Sequence, residues 1–187
     1  MNLNNKSDAL HVLCGLSQRY GQRMKAFLCC LSLLLLGGSA YALTETQGDR
    51  GQLMFSGGVS GVFDSERPPV VMLDYRPASH WQGLRPWLGA GWATDGAIFA
   101  GGGVVYTLGV INDFWTVSVG TGPGYYERHQ GEDLGSHLEF CSFAEIARRL
   151  PWGDRLLVRL VHISNGGITE RNPGAELLML GYAMPLP

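Results

Sequence analysis

The chain has 187 residues and is nearly neutral, because 14 lysine and arginine residues stand against 16 aspartate and glutamate residues. A protein that binds nucleic acid usually carries a basic patch, and the sequence contains none, so that class is excluded. The 27 glycines exceed what a helical protein tolerates, because glycine destabilises helix interiors. They suit closely packed β-strands.

The start of the chain has the features of an exported precursor. Met24 and Lys25 precede an apolar stretch, 26–36, and Ala40-Tyr-Ala42 supplies small residues for cleavage, so we predict a secretory signal peptide over 24–42. The apolar stretch is shorter than the roughly 20 residues needed to cross a bilayer. Residues 1–23 are polar and aperiodic, and we interpret them as an extension before the true start, with a cytoplasmic leader as the alternative. Residues 43–187 then form one mature domain.

Cys141 is the one cysteine of that mature domain, since Cys14, Cys29 and Cys30 fall in the part expected to be removed. No disulfide can then form within the domain, and we expect Cys141 to pack against its neighbours rather than to react. No run of about 18 apolar residues follows the signal peptide, which excludes a helical membrane protein.

The rest of the chain consists of short segments in which apolar and polar residues alternate, separated by turn-forming residues. These segments, each of roughly ten residues, predict eight β-strands. The breaks include Arg-Pro-Pro, Thr-Asp-Gly, Ile-Asn-Asp and Pro-Trp-Gly-Asp, and one longer stretch covers 122–134. The predicted strands are 51–62, 68–77, 84–94, 97–108, 113–122, 135–150, 154–164 and 175–184.

Charged residues lie on the polar faces of these strands, and two architectures accommodate them. In a soluble β-sandwich the charged face would lie in solvent. In an eight-stranded barrel the narrow interior is filled by side chains, and opposed glutamate and arginine residues can pair there. The residues concerned are Asp74, Arg76, His137, Glu139, Glu145, Arg155 and Arg159.

Several features favour a barrel of the outer membrane. The strand count is even, the strands are long enough to cross a bilayer when tilted, and the signal peptide exports the chain. The sequence therefore predicts an all-β fold, an eight-stranded antiparallel transmembrane β-barrel located in the outer membrane. Aromatic residues, which form girdles at the membrane interfaces, also occur near predicted strand ends, at Trp87, Trp92, Trp115, Tyr125, Tyr126, Trp152 and Tyr182.

The last two predicted strands bring three reactive side chains together. His162 and Ser164 are two residues apart, so they project from the same face of a strand. If a hairpin pairs His162 with Glu176, residues 165–173 form its loop, where Asn-Gly-Gly and Asn-Pro-Gly supply turn residues. A serine, an imidazole and a carboxylate at one end of a hairpin are the groups that acyl transfer requires.

These three side chains share a strand face with apolar residues such as Leu160 and Leu178, so in a barrel they would face lipid. With both termini periplasmic, the turn between the last two strands is extracellular, which places the three groups at outer-leaflet depth. Polar groups that face hydrocarbon are unfavourable and are usually functional. A hydrolase in this position would meet an outer-leaflet lipid without extracting it.

The motif His-Ile-Ser-Asn-Gly-Gly, followed by an asparagine and a glutamate near the last strand, resembles the lipid A 3-O-deacylases of the PagL family. The resemblance implies an eight-stranded outer-membrane barrel that hydrolyses the 3-O-linked 3-hydroxyacyl chain of lipid A. By it, Ser164 is the nucleophile, His162 the base and Glu176 the carboxylate that orients the base. The matching positions Asn165, Gly167 and Asn172 belong in or near the oxyanion hole.

The implied partners are lipopolysaccharide in the outer leaflet and the outer membrane itself, and no metal or cofactor is expected. The sequence leaves homodimer formation open. Two further classes remain as alternatives. One is a non-enzymatic small barrel that serves as an anchor or adhesin, and the other is a different lipid enzyme of the outer membrane, a phospholipase or a palmitoyl transferase.

Overall fold

The computed structural model describes residues 50–79, 81–111 and 114–187, so the expected leader and signal peptide lie outside the described residues. No helix in these ranges is long and apolar enough to cross a membrane. The chain forms eight strands: β1 Gln52–Ser60, β2 Pro69–Arg76, β3 Leu84–Ala93, β4 Ile98–Ile111, β5 Trp115–Glu127, β6 Leu138–Arg149, β7 Arg155–Ser164 and β8 Ala175–Pro185.

The eight strands form a closed antiparallel barrel, as the sequence predicts. Each strand pairs with its neighbours in chain order, and β8 pairs with β1 to complete the cylinder. Closure removes the unpaired sheet edges that would otherwise expose backbone N–H and C=O groups. Glycines with positive φ support two of the short turns, Gly96 between β3 and β4 and Gly153 between β6 and β7.

The outer surface of the barrel is mostly apolar, and its residues alternate with buried ones, most clearly along β2, β6 and β8. Such a surface suits the hydrocarbon of a bilayer. The exposed apolar side chains on the strands include Phe55, Leu73, Leu88, Trp92, Val104, Ile146, Leu156, Val158, Leu178 and Leu180.

The interior combines a packed apolar core with a buried ion network. Arg159 Nη1 lies 2.8 Å from Asp74 Oδ2, and Arg159 Nη2 lies 3.0 Å from Glu145 Oε2. Arg76 makes a bidentate contact with the same glutamate, at 2.6 and 2.8 Å. The pairing of opposed charges inside the barrel is therefore confirmed. The apolar core around them includes Met54, Met72, Trp87, Phe99, Cys141, Phe143, Val161 and Met179.

Expectations about three individual side chains are wrong. His137 precedes β6 and is exposed rather than enclosed, because the strand begins one residue later, at Leu138. Trp87 is not part of an interfacial girdle: it is buried in the barrel and packs edge-on against Phe143 with ring centroids 5.5 Å apart. Tyr126 is buried as well.

Candidate active site

The site lies at the end of β7, where alternation sends two polar side chains outward. Val161 and Ile163 are buried in the barrel, so His162 and Ser164 project from the outer face. They follow the apolar outward residues of the same strand, Leu156 and Val158. The predicted common face of His162 and Ser164 is confirmed.

The hairpin register brings Glu176 beside the histidine. His162 and Glu176 are direct partners in the β7–β8 ladder, as predicted, and β8 begins at Ala175, so the loop covers 165–174. His162 Nε2 lies 3.0 Å from Ser164 Oγ. On the other side of the ring, Nδ1 lies 3.3 Å from Glu176 Oε1. The structure therefore brings together the three predicted residues, in the order hydroxyl, imidazole and carboxylate.

The three groups are sheltered but not enclosed. The side chains of His162 and Glu176 keep 17% and 23% of their surfaces exposed, and Ser164 keeps 7%. With a proton on Nδ1, the imidazole donates toward Glu176 and leaves Nε2 free to accept the hydrogen of the serine hydroxyl. This arrangement can activate a serine for attack on a carbonyl carbon.

Gly174 makes the space in which the imidazole lies. Its φ is +74°, a conformation that side chains with a Cβ rarely adopt, and a Cβ at this position would lie 2.7 Å from His162 Cε1. Glycine is therefore required here for two reasons, backbone conformation and close approach to the ring. The Asn-Pro-Gly turn of the sequence ends at this residue.

Asn165 fixes the loop that follows Ser164. Its side chain is fully buried, and its Nδ2 group lies within 2.8 Å of Leu134 O, Thr169 Oγ1 and Arg171 O. Its Oδ1 accepts from the backbone N–H of Gly167 at 2.9 Å. The Asn165 amide and the Gly167 N–H are thus both occupied within the loop.

Asn172 is the third expected supporting residue, and it is held differently. Its Oδ1 accepts from the backbone N–H of Asn165 at 3.1 Å. The loop's own hydrogen bonds do not use its NH₂ group. Of the three expected residues, Asn172 therefore retains a side-chain donor for a ligand.

The catalytic candidates face away from the interior of the barrel. A cavity of about 800 Å³ opens inside the same end of the barrel, lined by residues including Arg67, Asp95 and Tyr126. His162, Ser164 and Glu176 do not line it. Within the described ranges, no three His, Cys, Asp or Glu side chains converge as they would around a metal ion.

Two further polar residues beside the site were missed in the sequence. Thr121 and Ser142 are register partners on β5 and β6, and their hydroxyl oxygens are 2.9 Å apart. Ser142 is also the register partner of His162. Strand alternation carries the necessary signal, since Thr121 shares parity with Trp115 and Ser142 shares parity with Phe140.

Comparison with known proteins now identifies the family. A sequence model of the lipid A 3-O-deacylase (PagL) family matches residues 71–185. This chain belongs to that family. The match contains every residue of the site described above and seven of the eight strands in full or in large part. The family resemblance seen in the sequence motif is confirmed.

The solved structures agree with the fold. The crystal structure of the outer membrane enzyme PagL is 20% identical, with 72% of this chain and 99% of that chain covered and a TM-score of 0.56. A de novo designed transmembrane β-barrel is 16% identical, covering 74% of this chain and 96% of that one, with a TM-score of 0.51. No curated protein sequence matches the chain. As a member of this family with this fold, the protein is an outer-membrane β-barrel.

Proposed function

We propose that this protein is an outer-membrane esterase that removes the 3-O-linked 3-hydroxyacyl chain of lipid A by means of Ser164, His162 and Glu176. One observation carries the proposal: the 3.0 Å contact between His162 Nε2 and Ser164 Oγ occurs on the apolar outer face of the barrel, where an acyl chain can reach it. Membership of the lipid A 3-O-deacylase family supports the choice of substrate.

The reaction proceeds by acyl transfer to the serine. Glu176 orients the imidazole, and His162 takes the hydroxyl proton as Ser164 Oγ attacks the ester carbonyl carbon. The tetrahedral intermediate then breaks the bond to the sugar oxygen, which receives the proton from His162. Water attacks the resulting acyl-serine, with His162 again as base, and the 3-hydroxy fatty acid leaves while the serine regains its proton. Every step uses groups of this chain, the ester and water.

Asn172 is the side-chain donor that we assign to the oxyanion. Its oxygen is held by the Asn165 N–H, which fixes the amide plane and leaves the NH₂ group to meet negative charge. A hydrogen-bond donor placed where negative charge develops stabilises the transition state. Losing one such donor typically raises the activation free energy by about 2.7–4 kcal/mol. In this proposal Asn165 and Gly167 act indirectly, by fixing the loop that carries Asn172.

Lipid A reaches the site from the side, within the membrane. The outward residues below His162 and Glu176 on their own strands are Leu160 and Leu178, so acyl chains meet an apolar wall next to the reactive groups. The ester itself lies near the headgroup end of the lipid, level with the extracellular end of the barrel. Extraction of the lipid into a water-filled cavity is therefore unnecessary.

The proposal predicts that lipid A loses a 3-hydroxyacyl chain only when the Ser164 hydroxyl is present. Cells expressing the wild type should contain lipid A that has lost one 3-hydroxyacyl chain, whereas cells expressing Ser164→Ala should contain unmodified lipid A, because the nucleophile is gone. Mass spectrometry of extracted lipid A measures both. The matched control is Ser118→Ala, which removes a hydroxyl that is buried inside the barrel and should leave the wild-type pattern.

Folding must be compared in the same membranes, and a folded barrel can be recognised by its faster migration on gels run without heating. Identical lipid A from wild type and Ser164→Ala, with both proteins folded, would contradict the deacylase proposal. Lyso-phospholipid in place of a shortened lipid A would indicate a phospholipase, and a gain of one acyl chain would indicate an acyl transferase. No lipid change of any kind would leave a non-enzymatic barrel.

A further inference from the structure

The outward face of the barrel carries a contiguous polar patch that contains the three proposed catalytic residues and two more. Most outward side chains of the described strands are apolar or aromatic, and five polar ones adjoin one another. Those five are Thr121, Ser142, His162, Ser164 and Glu176. The mechanism above uses three of them and leaves the two hydroxyls on β5 and β6 without a role.

The five residues are adjacent because of the strand register. Thr121 pairs with Ser142, Ser142 with His162, and His162 with Glu176, so four of them form a row across β5, β6, β7 and β8. Neighbouring strands lie about 4.7–4.9 Å apart. Ser142 is therefore one strand spacing from the imidazole, and Thr121 is two.

The barrel fold does not itself require hydroxyl groups at these two outward positions. A polar group that faces hydrocarbon is unfavourable unless it is hydrogen-bonded. The 2.9 Å contact between Thr121 Oγ1 and Ser142 Oγ uses one hydroxyl hydrogen. The second hydrogen and the remaining lone pairs are then available to a group that both donates and accepts, such as a third hydroxyl.

The substrate of the proposed reaction carries such a group close to the reacting carbon. In a 3-hydroxyacyl ester the hydroxyl is attached two carbons from the carbonyl, and that carbonyl must lie next to Ser164 Oγ. Ser164 is the diagonal neighbour of Ser142, because Ser142 pairs with His162, and diagonal residues on one sheet face are about 7–8 Å apart. A carbonyl held at the serine therefore puts the 3-hydroxyl within reach of Ser142.

We propose that Thr121 and Ser142 form a subsite that binds the 3-hydroxyl of the acyl chain to be cleaved and so selects 3-hydroxyacyl over unsubstituted acyl esters. The inference rests on the proposed function in that Ser164 must be the nucleophile. It adds two specificity residues on strands that carry none of the catalytic groups.

The test compares two aryl esters of equal chain length, one 3-hydroxylated and one unsubstituted, as substrates of the purified full-length protein in detergent. The wild type should show a higher kcat/KM for the hydroxylated ester, by about tenfold, the effect of one net hydrogen bond. Thr121→Val and Ser142→Ala should each bring the ratio of the two kcat/KM values close to one, by lowering kcat/KM for the hydroxylated ester.

A second hydroxyl pair in the same barrel provides the control. Thr107 and Ser118 lie on β4 and β5 with hydroxyl oxygens 3.3 Å apart, and Ser118 is buried in the interior. Thr107→Val and Ser118→Ala remove a hydroxyl pair of the same kind, so any effect of the pair on stability is shared. These two variants should keep the wild-type ratio.

The outcomes separate the subsite from the enzyme. A ratio near one in the wild type, or a wild-type ratio retained in both Thr121→Val and Ser142→Ala, overturns the subsite while hydrolysis that Ser164→Ala abolishes still supports the esterase. Hydrolysis that survives Ser164→Ala, or no hydrolysis of either ester by the wild type, overturns both. If Thr107→Val and Ser118→Ala also bring the ratio of the two kcat/KM values close to one, the effect comes from barrel stability, and the subsite is overturned as well.

Discussion

At Gly174, adding a single methyl group should disturb the position of the proposed catalytic imidazole. A methyl group there would lie 2.7 Å from His162 Cε1, so Gly174→Ala should push the imidazole away from Ser164. A displacement of about 1 Å in a reacting group can lower the rate roughly a hundredfold, and we expect kcat for ester hydrolysis to fall by about that factor. Steady-state kinetics in detergent measures the change.

Gly153→Ala separates displacement of the ring from backbone strain. Gly153 also has a positive φ, +103°, but an added Cβ would have no atom within 4 Å. This variant carries a comparable conformational penalty in the turn between β6 and β7 and should retain wild-type kcat. Full activity in Gly174→Ala would mean that the imidazole does not depend on the space beside it.

The common face of His162 and Ser164 and the pairing of His162 with Glu176 could be predicted because they follow from a period of two and a hairpin turn. The use of the Asn165 amide within the loop could not. Its partners include Leu134 O, on a different loop, and which atoms converge on an amide depends on how two loops pack. The local motif alone is equally compatible with an Asn165 side chain that faces the substrate.

Among the larger elements, the loop 165–174 is the one on which the site depends, and Asn165 joins it to the loop between β5 and β6. Replacing Asn165 by alanine would leave the Leu134 carbonyl without this donor, at about 1–3 kcal/mol for a buried group left unpaired, whereas Arg171 O keeps the Thr169 hydroxyl as a donor. We expect faster proteolytic cleavage within 165–174 and a lower kcat, since Ser164 borders the loosened segment and Asn172 lies within it. Limited proteolysis and kinetics on the same samples test this.

Glu170→Ala is the matched variant for that experiment. Glu170 lies on the same loop and its side chain is exposed, so its removal should change neither the cleavage rate nor kcat. Cleavage of Asn165→Ala at the wild-type rate would show that the loop is held by contacts other than this amide.

The sequence predicts all eight strands, but it does not predict where some of them end. The Gly122-Pro-Gly stretch reads as a turn, yet β5 continues through it to Glu127. The reason lies on the neighbouring strand, where Gly102 and Gly103 allow unusually close approach: a Cβ on Gly122 would lie 2.2 Å from Gly102 O. Glycines that match across two strands have no signature in a single segment.

For the molecule as a whole, the buried ion network joins strands that are distant in sequence. Arg159 on β7 contacts Asp74 on β2 and Glu145 on β6, and its guanidinium lies 4.6 Å from the centroid of the Phe143 ring. The sequence indicated that charges of both signs enter the interior. The sequence could not show which charges pair, because β2 and β7 are not neighbouring strands and their side chains meet only inside the closed barrel.

This network leads to a prediction about stability rather than catalysis. Arg159→Met keeps much of the side-chain volume but leaves Asp74 and Glu145 with Arg76 as the remaining cation of the network. Removing one partner of a buried ion pair typically destabilises a protein by about 3–5 kcal/mol. We therefore expect a lower urea midpoint for unfolding from lipid vesicles, with an unchanged denaturant dependence if the same surface is exposed.

Two further variants test whether the loss comes from uncompensated charge. Arg128→Met removes a cation from an exposed pair, with Arg128 Nη1 3.3 Å from Asp133 Oδ2, and should lower stability by less than about 1 kcal/mol. Adding Asp74→Asn to Arg159→Met should restore part of the lost stability, because it removes one of the two carboxylates that Arg159 neutralises. If the double variant is less stable than Arg159→Met alone, the network contributes through packing and hydrogen bonds, and charge compensation is not its main role.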